Sequence, residues 1–321
     1  MPEHENTPEN ENMPNERAVA AAPPVRISPA ATIVFVVLAC ALAWLVALPL
    51  WLDSGLGNPL ATVLVPLMMF TPLIAALIVV LALRAVPKGQ RLRFLGMWPL
   101  RPARRVVWLM VLGWLSPIVI VMAALALAAA AGWVALDFSF ASYAALLSSA
   151  SGVDIDAQSA MIAAVVQLAV IPFAALFNAV FAFGEELGWR GFLVPALRPL
   201  GTWPALILSG AIWGLWHAPV ILLGYNFGRT DLTGVVFMTG GSIAWGVLLG
   251  WLRLRSASVW PAVLAHGTLN AAGGLVLILA ASTPDMALAG PLGVSGWIVC
   301  ALAAVILLLT GQFRRQPALA A

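Results

Sequence analysis

The chain has 321 residues, 62% of them hydrophobic and only 9% charged, with a formal net charge of +3 and a mean hydropathy of +1.00. That is too little polar surface to cover a soluble globule, so composition points to a polytopic membrane protein. Its charges sit in short segments and form no continuous basic face, which excludes a nucleic-acid role and bears instead on orientation in a bilayer.

Residues 1–30 are rich in Glu, Asn and Pro and nearly free of large apolar side chains, so a disordered cytoplasmic tail is expected, with His4 a solvated bystander. An acidic leader and a long following apolar stretch argue against a secretory signal peptide. A helix needs about twenty apolar residues to cross the hydrocarbon layer. Eight segments meet or approach that length, near 31–52, 60–83, 106–131, 161–187, 203–224, 235–252, 258–280 and 291–312. The expected fold is all-α, a single bundle over 31–313 of about eight transmembrane helices, with both termini inside and 314–321 a short cytoplasmic tail. Cys40 and Cys300 lie in apolar runs without paired spacing and read as packing residues.

Basic residues test this topology. Arg17, Arg26, Arg84, Lys88, Arg91, Arg93, Arg101, Arg104, Arg105, Arg190, Arg198, Arg253, Arg255, Arg314 and Arg315 all fall in or near inside segments, and only Arg229 falls outside. The positive-inside rule therefore supports this orientation. The loop 84–105 mixes basic residues with Phe94, Leu95, Met97 and Trp98, which suits either the anionic inner leaflet or a solvated connection.

The fourth span ends in FNAVFAFGEELGWRGFLVP. Glu186 and Arg190 are i and i+4 and can pair, whereas Glu185 points about 100° away and is left to face a cavity. Asn178 shares the face of Glu185. In the fifth span, AIWGLWHAPV, Pro219 should kink or end the helix near His217. In the seventh, PAVLAHGTLNAAGG, His266 and Asn270 are again i and i+4. Ionisable residues at such depth cost roughly 2.5–3.5 kcal/mol each on insertion scales, so they require partners, water or a function. A carboxylate with two imidazoles can activate water, protonate a leaving group and stabilise an oxyanion. The same three side chains could hold Zn²⁺ with a water in the fourth position. A proton-coupled transporter using them as a relay, or a non-catalytic immunity or scaffold protein, are the competing readings; no inverted repeat favours the transporter.

At these residues the chain resembles the CPBP family of intramembrane proteases, the CAAX-protease and bacteriocin-processing (Abi) group that includes the Ras-converting prenyl-protein endopeptidase. Its E-E-x-x-x-R motif matches Glu185, Glu186 and Arg190; F-x-x-x-H is met by Trp213 to His217, with tryptophan for phenylalanine; H-x-x-x-N matches His266 and Asn270. The resemblance covers roughly 160–275. It implies an endopeptidase of the cell membrane, acting on a membrane-associated peptide or protein (CAAX-type or leader processing), with its cavity open to the cytoplasm. Glu185 would activate water, His217 position it or shuttle its proton, and His266 with Asn270 stabilise the oxyanion, while Glu186 and Arg190 support the helix end. If a metal is present, Glu185, His217 and His266 are its ligands; a metal-free glutamate mechanism fits the same residues. Beyond membrane lipids and this substrate, the sequence names no partner and sets no oligomeric state.

One difficulty follows from counting 1.5 Å per residue. Glu185 lies near the inner end of its expected span, His266 a few turns in and His217 deeper still. Convergence then requires 195–204 to dip into the membrane or the fifth span to start later than 203.

Overall fold

A computed structural model describes residues 25–314; His4, Arg17, Arg315 and most of the two expected tails lie outside the described residues. The described chain is all helix and turn apart from one isolated bridge between Leu136 and Ala280. Its principal helices are α1 Pro29–Leu52, α2 Ala61–Met68, α3 Thr71–Leu77, α4 Ala103–Ala130, α5 Ala141–Ser151, α6 Ala157–Glu186, α7 Thr202–Trp216, α8 Leu232–Ser256, α9 Trp260–Ala272 and α10 Val294–Leu309. Local chemistry starts several of them. The Ser28 hydroxyl accepts from the Ala31 amide ahead of Pro29, and Asp156 and Asp231 accept from the Ser159 and Thr233 amides to cap α6 and α8.

Seven helical runs among the described residues are long and apolar enough to cross a membrane: Pro29–Leu52, Ala61–Ala82, Ala103–Ala130, Ala157–Leu200, Leu232–Ser256, Trp260–Leu279 and Met286–Leu309. Two departures from expectation fall around the site. The fourth run does not stop at 187; it continues through a wide π turn at Leu187–Leu193 and ends at Leu200. The fifth expected span is broken: α7 has 15 residues and ends at Trp216 with His217 as its C-cap, and a single turn, Ala218–Ile221, follows because Pro219 cannot donate to the preceding helix.

Contacts fix the two ends of the bundle. At one end the Arg253 guanidinium donates to the Phe94 carbonyl, the Val259 amide to Gly96, the Trp260 indole to Met97, and Trp203 packs on Phe313. At the other, the Trp51 indole donates to the Pro219 carbonyl, Arg229 pairs with Asp285, and the Ala281 amide donates to Ala135. The first end carries the basic segments and is termed the basic end. Helix α7 and its continuation run antiparallel to α8 between the two. Leu206 lies against Gly250, Gly210 against Ile243, Gly214 against Thr239, and Ile221 against Gly234.

Small residues set how closely the helices meet. A Cβ on Gly184 would lie 2.6 Å from the Met69 carbonyl oxygen, and one on Gly188 2.4 Å from the Pro72 side chain, so the end of α6 crosses the start of α3 backbone to backbone. A Cβ on Gly267 would lie 2.6 Å from the Ala175 oxygen and 2.7 Å from the Ala179 nitrogen, which presses α9 onto α6 beside His266. Gly267→Ala should therefore overpack this crossing and cost about 1–3 kcal/mol. Thermal unfolding in detergent measures it, and an unchanged Tm would show that the helices do not meet there.

Candidate active site

The run from Ala157 to Leu200 resolves the depth problem. Glu185 stands 16 residues before Gly201 and His217 stands 16 residues after it, so an antiparallel return brings them level. No dip of 195–204 and no later start of the fifth helix is needed. The 11 helical steps from Thr202 to Trp213 rise about 16 Å, roughly halfway across a hydrocarbon layer of about 30 Å.

The two glutamates part as their angular separation requires. Glu186 turns into the protein, where its Oε1 accepts from Arg190 Nη1 at 2.7 Å and from His266 Nδ1 at 2.9 Å. The Arg190 guanidinium also lies over the Trp213 ring, 4.3 Å from its centre, which places a cation on an aromatic face. Arg253 supports this turn from behind by donating Nε to the Arg190 carbonyl at 3.0 Å. Glu185 faces the cavity, and the Trp213 indole donates to its Oε2 at 2.5 Å. Nothing in the sequence marks this bond, because Trp213 reads there only as the aromatic residue four before His217.

Each imidazole has one nitrogen committed. His217 Nδ1 donates to the Trp213 carbonyl at 2.8 Å, which leaves Nε2 as the acceptor. His266 Nδ1 meets Glu186, and its Nε2 remains for the cavity. Glu185, His217, His266 and Asn270 all line one cavity of about 640 Å³, together with Asn178, Trp213, Tyr225 and Asn226 and a wall of Met68, Met69, Met238 and Met286. Asn178, the face partner of Glu185, also donates its amide to the Ala174 carbonyl. Tyr225 and Asn226 sit in an irregular turn after α7, where no helical periodicity could have pointed to them.

The cavity has a distinct floor and mouth. Glu185, His266 and His217 are 2%, 3% and 9% exposed, whereas Phe177, Tyr225, Thr62 and Asn270 are open. The mouth lies at the end opposite the basic one. The resemblance implies an opening to the cytoplasm and the basic residues imply a cytoplasmic basic end; the structure puts these two features at opposite ends, so the two expectations cannot both hold.

Among the described residues, no three His, Cys, Asp or Glu side chains come together as a metal-ligand set. One His266 nitrogen and one Glu185 oxygen are already engaged, and the other of each is left for the cavity.

A helical membrane protein with a carboxylate, two imidazoles and an amide at one intramembrane cavity is the class that fold and geometry define. Residues 164–272, which hold all four, match the family model of Rce1-like type II CAAX prenyl endopeptidases. A stretch of 93 residues is also 30% identical to CAAX prenyl protease 2 of Methanococcus maripaludis, covering 27% of this chain and 34% of that protein. The chain thus spans about a third of the length of this relative.

Removing Glu186 would leave a fully buried guanidinium uncompensated, at a cost of about 3–5 kcal/mol. Glu186→Leu should accordingly lower Tm much more than the double variant Glu186→Leu/Arg190→Met, in which no buried charge is stranded. Equal destabilisation by the two, in thermal melts, would show that the ion pair does not govern this region.

Proposed function

We propose that the protein is an intramembrane endopeptidase of the cell membrane that hydrolyses a peptide bond in a membrane-associated protein without a metal ion. The observation that carries this reading is the shared cavity of Glu185, His217, His266 and Asn270, with one unengaged acceptor on Glu185 and one on His217. The similarity to CAAX endopeptidases gives the reaction class.

In this reading water sits between Glu185 and His217. Glu185 takes a proton as the water oxygen attacks the scissile carbonyl carbon, and the Nε2 of His217 accepts the water's other hydrogen and so orients it. The carbonyl oxygen becomes an oxyanion, which the Asn270 amide and His266 stabilise, with Glu186 holding the far side of the imidazole. Collapse breaks the C–N bond, and Glu185 returns its proton to the leaving amine. Trp213 acts through Glu185, holding one carboxylate oxygen and leaving the other for water.

Purified protein should cleave a membrane-tethered peptide, prenylated or not, and Glu185→Gln should reduce turnover by about 10²- to 10⁴-fold with the melting curve retained. Asn270→Ala should cost about 10²- to 10³-fold. Full activity of Glu185→Gln would sink the mechanism, and pH-gradient-driven solute flux with no hydrolysis would sink the enzyme reading.

Trp213→Phe separates positioning from direct catalysis. It keeps the aromatic contact with Arg190 and loses a hydrogen bond to a carboxylate, about 1.5–3 kcal/mol, so kcat should fall roughly 10- to 100-fold with little change in KM. A rise confined to KM would place Trp213 in substrate binding instead.

A further inference from the structure

On every helix around the site, the residues that reach the cavity lie on one side of the Glu185 level. On α6 they are Phe177, Asn178, Phe181 and Glu185, with none from the π turn beyond; on α9 they run from His266 to the end, with none from the five residues before it that follow Trp260. On α7 they begin at Trp213, on the second span they stop at Met69, and on α8 only Met238, near its start, takes part. Irregular segments complete the mouth, among them Tyr225 and Leu292. All of these lie toward the end where Trp51 meets Pro219 and Arg229 meets Asp285.

Below the site the protein is closed. Trp189, Arg190, Phe192 and Arg253 are each 0% exposed and separate the floor from the basic end. Of the described arginines and lysine, only Arg229 lies at the cavity end, whereas Asp53, Asp137, Asp154, Asp156, Asp231 and Asp285 all do. So one-sided a distribution fixes orientation by the positive-inside rule.

From these two polarities we infer that the cavity opens on the non-cytoplasmic side of the membrane, and that its substrates are peptide segments presented from that side or from the outer leaflet. The inference rests on the endopeptidase reading for its second half alone; the orientation stands independently. A chain tethered to the cytoplasmic leaflet would have to bring its scissile bond past the buried layer of Trp189, Arg190, Phe192 and Arg253. A segment descending from the outer face meets open Thr62, Phe177, Tyr225 and Asn270 first and the catalytic groups last.

Two measurements test this on the full-length protein in cell membranes. In a Cys40→Ala/Cys300→Ala background, single cysteines replace exposed Ser282 at the cavity end and exposed Lys88 at the basic end. A membrane-impermeant maleimide should label Ser282→Cys in intact cells and Lys88→Cys only after permeabilisation; the reverse pattern overturns the orientation. An impermeant fluorogenic peptide is then offered to right-side-out and inverted vesicles, with Glu185→Gln as background. Glu185-dependent cleavage should be at least tenfold faster in right-side-out vesicles, and equal or faster cleavage in inverted ones overturns the proposed opening. If labelling follows the expected pattern and no cleavage occurs in vesicles or detergent, the protease reading fails and the orientation survives.

Discussion

One carboxylate oxygen organises this protein. Glu186 Oε1 receives both Arg190 and His266, which ties the end of α6 to itself and to α9 across 80 residues of sequence. None of these groups could be buried alone at this depth, since an isolated charge in a low-dielectric interior costs several kcal/mol even after relaxation. Together with Glu185 and Arg253, the buried set carries two formal negative and two formal positive charges, so it can be enclosed as a neutral unit. The pair is also what frees Glu185, because a carboxylate can remain available to water only where its neighbour has taken up the local cation.

That electrostatic unit needs backbones close enough for short side chains to meet. The glycines at 184, 188 and 267 supply this, each standing where any side chain would strike a neighbouring helix. Van der Waals packing of small residues is the main attraction between helices in lipid, where apolar surface gains nothing by leaving the solvent. The same glycines thus serve cohesion and placement. Gly184 precedes Glu185 and Gly267 follows His266, so two of these close crossings adjoin the residues whose positions matter most.

Much of this was legible in the sequence. The spacing of Glu186 and Arg190 gave their pairing, and the 100° turn between the glutamates gave their separate directions. Pro219 gave the break after His217, and hydropathy gave the helical membrane fold. What was not legible was long-range or irregular. The bond from His266 to Glu186 and that from Trp213 to Glu185 join separate helices, and no local periodicity encodes them. The depth of Glu185 was misjudged because the π turn and the helix beyond it contain Gly, Arg and Pro, which lower hydropathy and mimic a span end. Tyr225 and Asn226 lie in a turn whose path only the packed structure defines. The direction of the cavity, expected from the resemblance to be cytoplasmic, depends on which side of one level five helices contribute residues, and no local pattern encodes that.

The wall of the cavity carries a consequence for selectivity. Met68, Met69, Met238 and Met286 are unbranched, with three rotatable bonds and a polarisable sulfur, and such side chains refill irregular space at little cost. A wall of this kind rejects few shapes. The fixed elements are the polar groups at the floor, which on the proposed endopeptidase reading would address the peptide backbone common to all substrates. Discrimination among proteins would on that reading fall less to the side chains flanking the cut than to which chains can thread an unfolded stretch down to the midplane, a test of local helical stability and tether length rather than of sequence.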